Sequence, residues 1–299
     1  MPEHARTMPK ERPDIARIST GRVRLLTALI LLVFAGFTLH WLLIRGEDAP
    51  LRGDTFLLAL AIGAAAQLVD GALGMAYGVT ANSLLLALGL PPAAATATVH
   101  IAKAFTGAAS GLSHWRLGNV DLRIFRRLVA PGILGGVLGA VLITTIDGRA
   151  LQPWIAGYLL LMGLSILFRA FRTIRIAARP DGRLAPLALI GGFADSVGGG
   201  GWGPIVTTTM LGSGHEPRVT IGSVNAAEFF VTLASSLSFA LLIGIGHAES
   251  VIGLILGGLC VAPLAATLTG RLDRRLLMAG VGLLICALSL FTILRTLGL

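Results

Sequence analysis

DGALGMAYG, residues 70–78, has a counterpart 125 residues further on: DSVGGGGWGP, residues 195–204. Extended without a gap, that register lays 70–113 on 195–238 with 13 of 44 positions identical. Composition alone would align some Ala, Gly and Leu, but not Asp70 with Asp195, Pro92 with Pro217 and Phe105 with Phe230 at one register. Each copy lies in a strongly apolar half. Two weakly similar membrane halves, each interrupted by glycines, form the pattern of a secondary transporter.

The rest of the chain fits that pattern. Of its 299 residues 55% are apolar and 13% charged, arranged in apolar runs of spanning length. This is the composition of an all-α integral membrane protein. The net charge of +9 raises nucleic acid as a partner, but its placement excludes that. The arginines sit in short loops between apolar runs, where they orient a protein in the bilayer. The partners expected are therefore the lipid bilayer and a small anionic substrate, with self-association into a homo-oligomer left open. Cys260 and Cys286 lie inside apolar segments without CxxC spacing, so no disulfide framework, metal site or cofactor is expected. Tyr77 and Tyr158 are the only tyrosines, which leaves interfacial anchoring mainly to tryptophan.

Residues 1–24 are polar and basic, and residues 25–44 form an apolar run. Twenty apolar residues are long for a signal peptide, and no small-x-small site ends them. The run is expected to be an uncleaved extra transmembrane helix outside the repeat, with the basic tail cytosolic. The loop that follows has no positive excess and belongs outside. The basic loops at 116–127, 169–183 and 271–275 belong inside. The first half (54–171) then crosses from outside to inside. After a basic cytosolic linker (172–183), the second half (184–296) starts inside and ends outside. The two copies should be inverted, related by a pseudo-two-fold axis in the plane of a cytoplasmic (inner) membrane.

Segment lengths add detail. Residues 92–115, 124–146 and 151–171 are long enough to span. The stretch 79–90 gives roughly 18 Å of helix, short of a ~30 Å hydrocarbon core, and its mate 204–214 is as short. Both follow glycine breaks marked by Gly74 and Gly78 in one copy and by Gly199, Gly200 and Gly203 in the other. Four successive glycines (198–201) disfavour a helix interior by roughly 1 kcal/mol each. Irregular backbone at membrane depth persists only where protein buries it or it lines a cavity. Two broken, re-entrant hairpins meeting near the midplane are expected.

Helices restarting after such breaks present free N–H groups to an anion. Thr80, Asn82 and Ser83 follow the first break; Thr207 and Thr208 follow the second. They read either as convergent substrate donors or as hydroxyls bonding back within their own helices. Lys103 and His100 lie one turn apart in an apolar segment, and their mates are Glu228 and Asn225. Ionisable groups there need a reason. Lys103 and Glu228 read as an ion pair between the halves, or as a substrate cation with a gating or proton-carrying acid. These roles coexist if substrate opens the pair. Asp70 and Asp195 start the breaks, where each reads as a cap or as a protonation site for coupling. His114, beside Trp115, reads as interfacial.

GMAYGVTANSLLLALGLPPAAATATVHIAKAFTGAASGLSHWRLGNVD (74–121) and GGGGWGPIVTTTMLGSGHEPRVTIGSVNAAEFFVTLASSLSF (198–239) together resemble the TauE/SafE family of sulfite exporters, also called the toluene-sulfonate uptake permease family. The resemblance covers roughly residues 56–295. It implies a bacterial-type membrane carrier for sulfite, sulfonates or related organosulfur anions. Export is the cheaper direction for an anion, since a negative-inside potential drives it out by about 2.3 kcal/mol per charge per 100 mV. A passive anion channel and an uptake permease are the alternatives. A membrane-embedded hydrolase built on Ser110 is remote, because His100 is almost three turns away and GAASG suits close helix packing.

Overall fold

The computed structural model describes residues 55–73, 75–171, 183–244, 246–268 and 273–298. The expected tail, the extra helix at 25–44, Gly74 and the linker residues 172–182 lie outside the described residues. Among those described the chain is helical, with no strand.

Helices α1 (Thr55–Leu73), α2 (Tyr77–Ala87), α3 (Pro92–Arg116), α4 (Leu122–Thr145) and α5 (Gly148–Phe171) come first. Then follow α6 (Leu184–Gly198), a π-helical turn (Gly203–Thr207), α7 (Thr208–Gly212), α8 (Pro217–Ile243), α9 (Ala248–Leu268) and α10 (Arg274–Leu297). The punctuation is local chemistry. Gly89 and Gly214, mates in the repeat, take φ of 92° and 86° and end the two short helices in the left-handed conformation that glycine adopts freely. Pro92 and Pro217 then open the long helices after them, since a first-turn residue needs no N–H. The Asp121, Glu216 and Asp273 carboxylates each accept two backbone N–H groups at the starts of α4, α8 and α10.

Packing follows the same correspondence. Helix α1 lies on α9 as α6 lies on α4; α3 crosses α8, and α5 pairs with α10. Small residues make these approaches close. A Cβ on Gly257 would fall 2.0 Å from the Leu60 carbonyl oxygen, and one on Gly135 would fall 2.1 Å from that of Leu189. One apolar cluster joins α1, α2, α3, α5, α9 and α10. A smaller one surrounds Trp202 between α4, α6 and α8.

Among the described residues four helices are long and apolar enough to cross a membrane: Leu122–Thr145, Gly148–Phe171, Pro217–Ile243 and Arg275–Leu297. Large apolar side chains are exposed on them, among them Leu138, Trp154, Leu161, Leu241 and Leu283, as a bilayer-facing surface requires. The chain is a multi-pass membrane protein.

The two glycine breaks touch. A Cβ on Gly78 would sit 2.1 Å from the Gly199 carbonyl oxygen, and one on Gly200 would sit 2.2 Å from the Val79 nitrogen. Asn82 Nδ2 donates to the Gly198 carbonyl at 2.7 Å across this contact. Gly78 and Gly203, read from sequence as parts of the breaks, belong to the first turns of the elements that follow. The glycine at 78 serves close approach to the other break.

Candidate functional site

Each break is tied off by the aspartate that precedes it. Asp70 Oδ1 accepts the Tyr77 N–H at 3.1 Å. Asp195 Oδ1 accepts the N–H groups of Gly201 and Trp202 at 2.8 and 3.1 Å. Tyr77 and Trp202 are mates, so both copies use one capping bond. The Tyr158 hydroxyl adds a bond to the Gly200 carbonyl at 3.2 Å, which pins the glycine run from α5.

Where α3 crosses α8, Lys103 Nζ lies 2.7 Å from Glu228 Oε1 and 3.2 Å from Asp195 Oδ1. The ion pair between the halves is present, and Asp195 joins it. On the far side of Asp195, His100 Nε2 stands 3.2 Å from Oδ2, while its Nδ1 faces the Thr96 carbonyl oxygen at 3.0 Å. A carbonyl only accepts, so Nδ1 carries a hydrogen; Nε2 can then bond the carboxylate only if a further proton lies between them. His100 and Asp195 are fully buried, whereas the Glu228 side chain keeps 21% exposure. One lysine thus holds a sealed carboxylate and a reachable one. Buried charges of this kind persist through mutual pairing and hydrogen bonding.

A cavity of about 580 Å³ opens beside the cluster. Its walls include Gln67, Asp70, Tyr77, Lys103, Thr106, Ser110, His114, Asp195, Asn225 and Glu228. Asn225 Nδ2 donates to Ser110 Oγ at 3.3 Å. His114 is on the wall, where Asn119 meets its Nδ1 at 3.2 Å, and so contributes to the cavity as well as to a helix end. The repeat mates of the walls tell a different story. Ser196, Trp202, Val231, Ser235 and Phe239 correspond to Gly71, Tyr77, Thr106, Ser110 and His114, and all five are fully buried. Ser196 Oγ donates to Ser235 Oγ at 2.8 Å, Phe239 lies 5.7 Å from the His100 ring, and α4 closes over them through Gly132 and Gly136. The cavity reaches His114 near the end of α3, whereas the corresponding positions of the second copy are packed.

The hydroxyl-rich turns after the breaks do not reach these walls. Thr80, Asn82 and Ser83 are buried inside α2, Thr207 is buried, and the Thr208 hydroxyl donates back to the Pro204 carbonyl. Of the expected substrate contacts the structure gathers Lys103 and Asn225 at the cavity, with Asp70, Asp195 and Glu228 around them. His100 stands behind Asp195. The sequence reading missed Gln67, Thr106, Ser110 and His114 as cavity residues, and Tyr77 and Tyr158 as parts of the site. The spacing of Thr106, Ser110 and His114 from Lys103 along α3, and of Gln67 from Asp70 along α1, was the available signal. Ser110 Oγ accepts from Asn225, and His100 is engaged with Asp195 and Thr96.

The family model for sulfite exporter TauE/SafE matches residues 59–292. The chain is 42% identical over 232 residues to a protein of Bacillus subtilis (strain 168) named "Probable membrane transporter protein YtnM", covering 74% of this chain and 77% of that one. No solved structure matches the chain.

Proposed function

Because the chain belongs to the sulfite exporter TauE/SafE family, we propose that it carries a small anion, sulfite or a sulfonate or related organosulfur anion, outward across the cytoplasmic membrane. The observation that carries this reading is Lys103, set in a cavity wall and neutralised by a carboxylate from the other half of the chain. An incoming oxyanion takes the place of Glu228 at Lys103 Nζ, while Asp195 stays in place. Lys103 is the substrate cation, and Glu228 is the gate. Asn225 and Ser110 supply further polar contacts along the path.

A carrier is favoured over a passive channel by the inequality of the two ends. The open cavity and its filled counterpart are built from corresponding residues. Alternating access follows when the halves exchange these arrangements. The reciprocal pairing of α1 with α9 and α6 with α4 supports inverted repeats. The loop charges put the N-terminus and the His114 end of α3 on the cytosolic side, so the cavity accepts substrate from within. Export of a monoanion then runs down the membrane potential.

The test is flux in proteoliposomes under an imposed potential, with sulfite, sulfate, thiosulfate and a short sulfonate offered in turn. Saturable flux of a sulfur oxyanion, accelerated by a negative interior and abolished by Lys103→Ala in protein that remains folded and monodisperse, is expected. Absence of flux for all four with folded wild-type protein would remove the organosulfur assignment.

A further inference from the structure

Two hydroxyls on the cavity walls, those of Tyr77 and Thr232, are buried without a hydrogen-bond partner among the described residues, and Tyr77 is the one with further polar side chains around it. The residue is only 2% exposed, and its oxygen has no hydrogen-bond partner among the described residues. Buried polar atoms are normally satisfied, and an exception calls for an explanation. Its repeat mate is satisfied: Trp202 Nε1 donates to the Val224 carbonyl at 3.2 Å. The shared scaffold therefore does not force an idle donor at this place.

The neighbours of Tyr77 set it apart in the same way. One point beside α9, where a Cβ would stand on Gly258, lies 3.8 Å from the Tyr77 hydroxyl, 3.7 Å from Gln67 Oε1 and 3.3 Å from the Thr106 methyl. Three side chains from α1, α2 and α3 converge there, and the absence of a side chain at 258 leaves the space to them. The mates of Gln67 and Thr106 are Gly192 and Val231, so the polar group exists in one half only. That half faces the open cavity, whose volume of about 580 Å³ exceeds what a bare inorganic oxyanion fills.

We infer that Tyr77 and Gln67 form a second, uncharged subsite, which receives a hydrogen-bonding group of a substrate whose anionic head lies at Lys103. The phenol donates and the amide can donate or accept, so a hydroxyl or carbonyl oxygen fits, and the Thr106 methyl covers the intervening carbon. The substrate class is a short sulfonate with a second polar group, in preference to sulfite or a plain alkylsulfonate. This inference rests on the carrier reading above.

The experiment compares 2-hydroxyethanesulfonate with ethanesulfonate as transported solutes in proteoliposomes, for wild type, Tyr77→Phe and Gln67→Leu. The wild type is expected to show a KM about tenfold lower for the hydroxylated sulfonate, consistent with one hydrogen bond to an otherwise unsatisfied group. Either substitution should bring the ratio of the two KM values close to one. Equal KM values in wild type, or a ratio that survives both substitutions, overturns the subsite while leaving the carrier reading intact. Flux of neither sulfonate through folded wild-type protein overturns the subsite, and the carrier reading falls with it only when sulfite, sulfate and thiosulfate also fail to move.

Discussion

At the scale of single residues, the proposed carrier reading turns on competition between Glu228 and an anion for Lys103. Glu228→Gln keeps the shape and removes the competitor's charge. We expect the KM for a transported monoanion to fall about tenfold, equivalent to ~1.4 kcal/mol, with the change read in initial-rate flux at fixed potential. An unchanged or higher KM would mean that Glu228 is not what substrate displaces. Asn82 makes a different prediction, because its amide bonds the Gly198 carbonyl. Asn82→Ala strands that buried acceptor and should lower stability by about 1–3 kcal/mol, measured as a reduced Tm in detergent. The Lys103–Glu228 pair was legible from sequence, since opposite charges at equivalent places in apolar helices leave few partners. Asp195 as the third member was not, because linear spacing does not say that a capping side chain 92 residues away turns its carboxylate to the same lysine.

At the scale of elements, the glycine breaks constrain the chain most. Gly78→Ala drives a methyl into the Gly199 carbonyl, and backbone on both sides leaves nothing flexible to give way. Loss of folded protein, or destabilisation beyond the ~1–3 kcal/mol usual for overpacking, is expected in size-exclusion and thermal assays. Gly157→Ala on α5, where no atom lies within 4 Å of the added carbon, is the matched control and should be tolerated. The long helices were readable in advance to within a few residues, because apolar length and proline starts are local signals. The short element after the second break was misread in character. Its first turn is π-helical and packs with Trp202 and Val206 in the cluster between α4, α6 and α8, an environment that no local pattern encodes.

At the scale of the whole molecule, the proposed carrier reading makes the filled counterpart of the cavity a closed door that can be locked. A Cβ at Gly136 would lie 2.5 Å from Ser235 Oγ, close enough for a cross-link between α4 and α8. In a background with Cys260 and Cys286 replaced by serine, oxidised Gly136→Cys/Ser235→Cys should lose net flux, and reductant should restore it. Full flux through cross-linked protein would rule out alternating access at this face. The repeat announced itself in sequence through aligned Asp, Pro and Phe, and the helix pairings follow its order. Which end stands open was not readable, because both halves share the positions and differ only in the side chains that fill them.

The joint between the two breaks is bare backbone: Gly78 on one side, Gly199 and Gly200 on the other. Apart from Asn82, which bonds the Gly198 carbonyl, side-chain rotamers, which elsewhere let a core yield gradually, have little part in that seam, so it has few intermediate fits. Any displacement there must be a slip of one peptide ridge past another, all at once. On the proposed carrier reading, a seam of that kind acts as a detent, holding the halves at discrete settings rather than along a continuum.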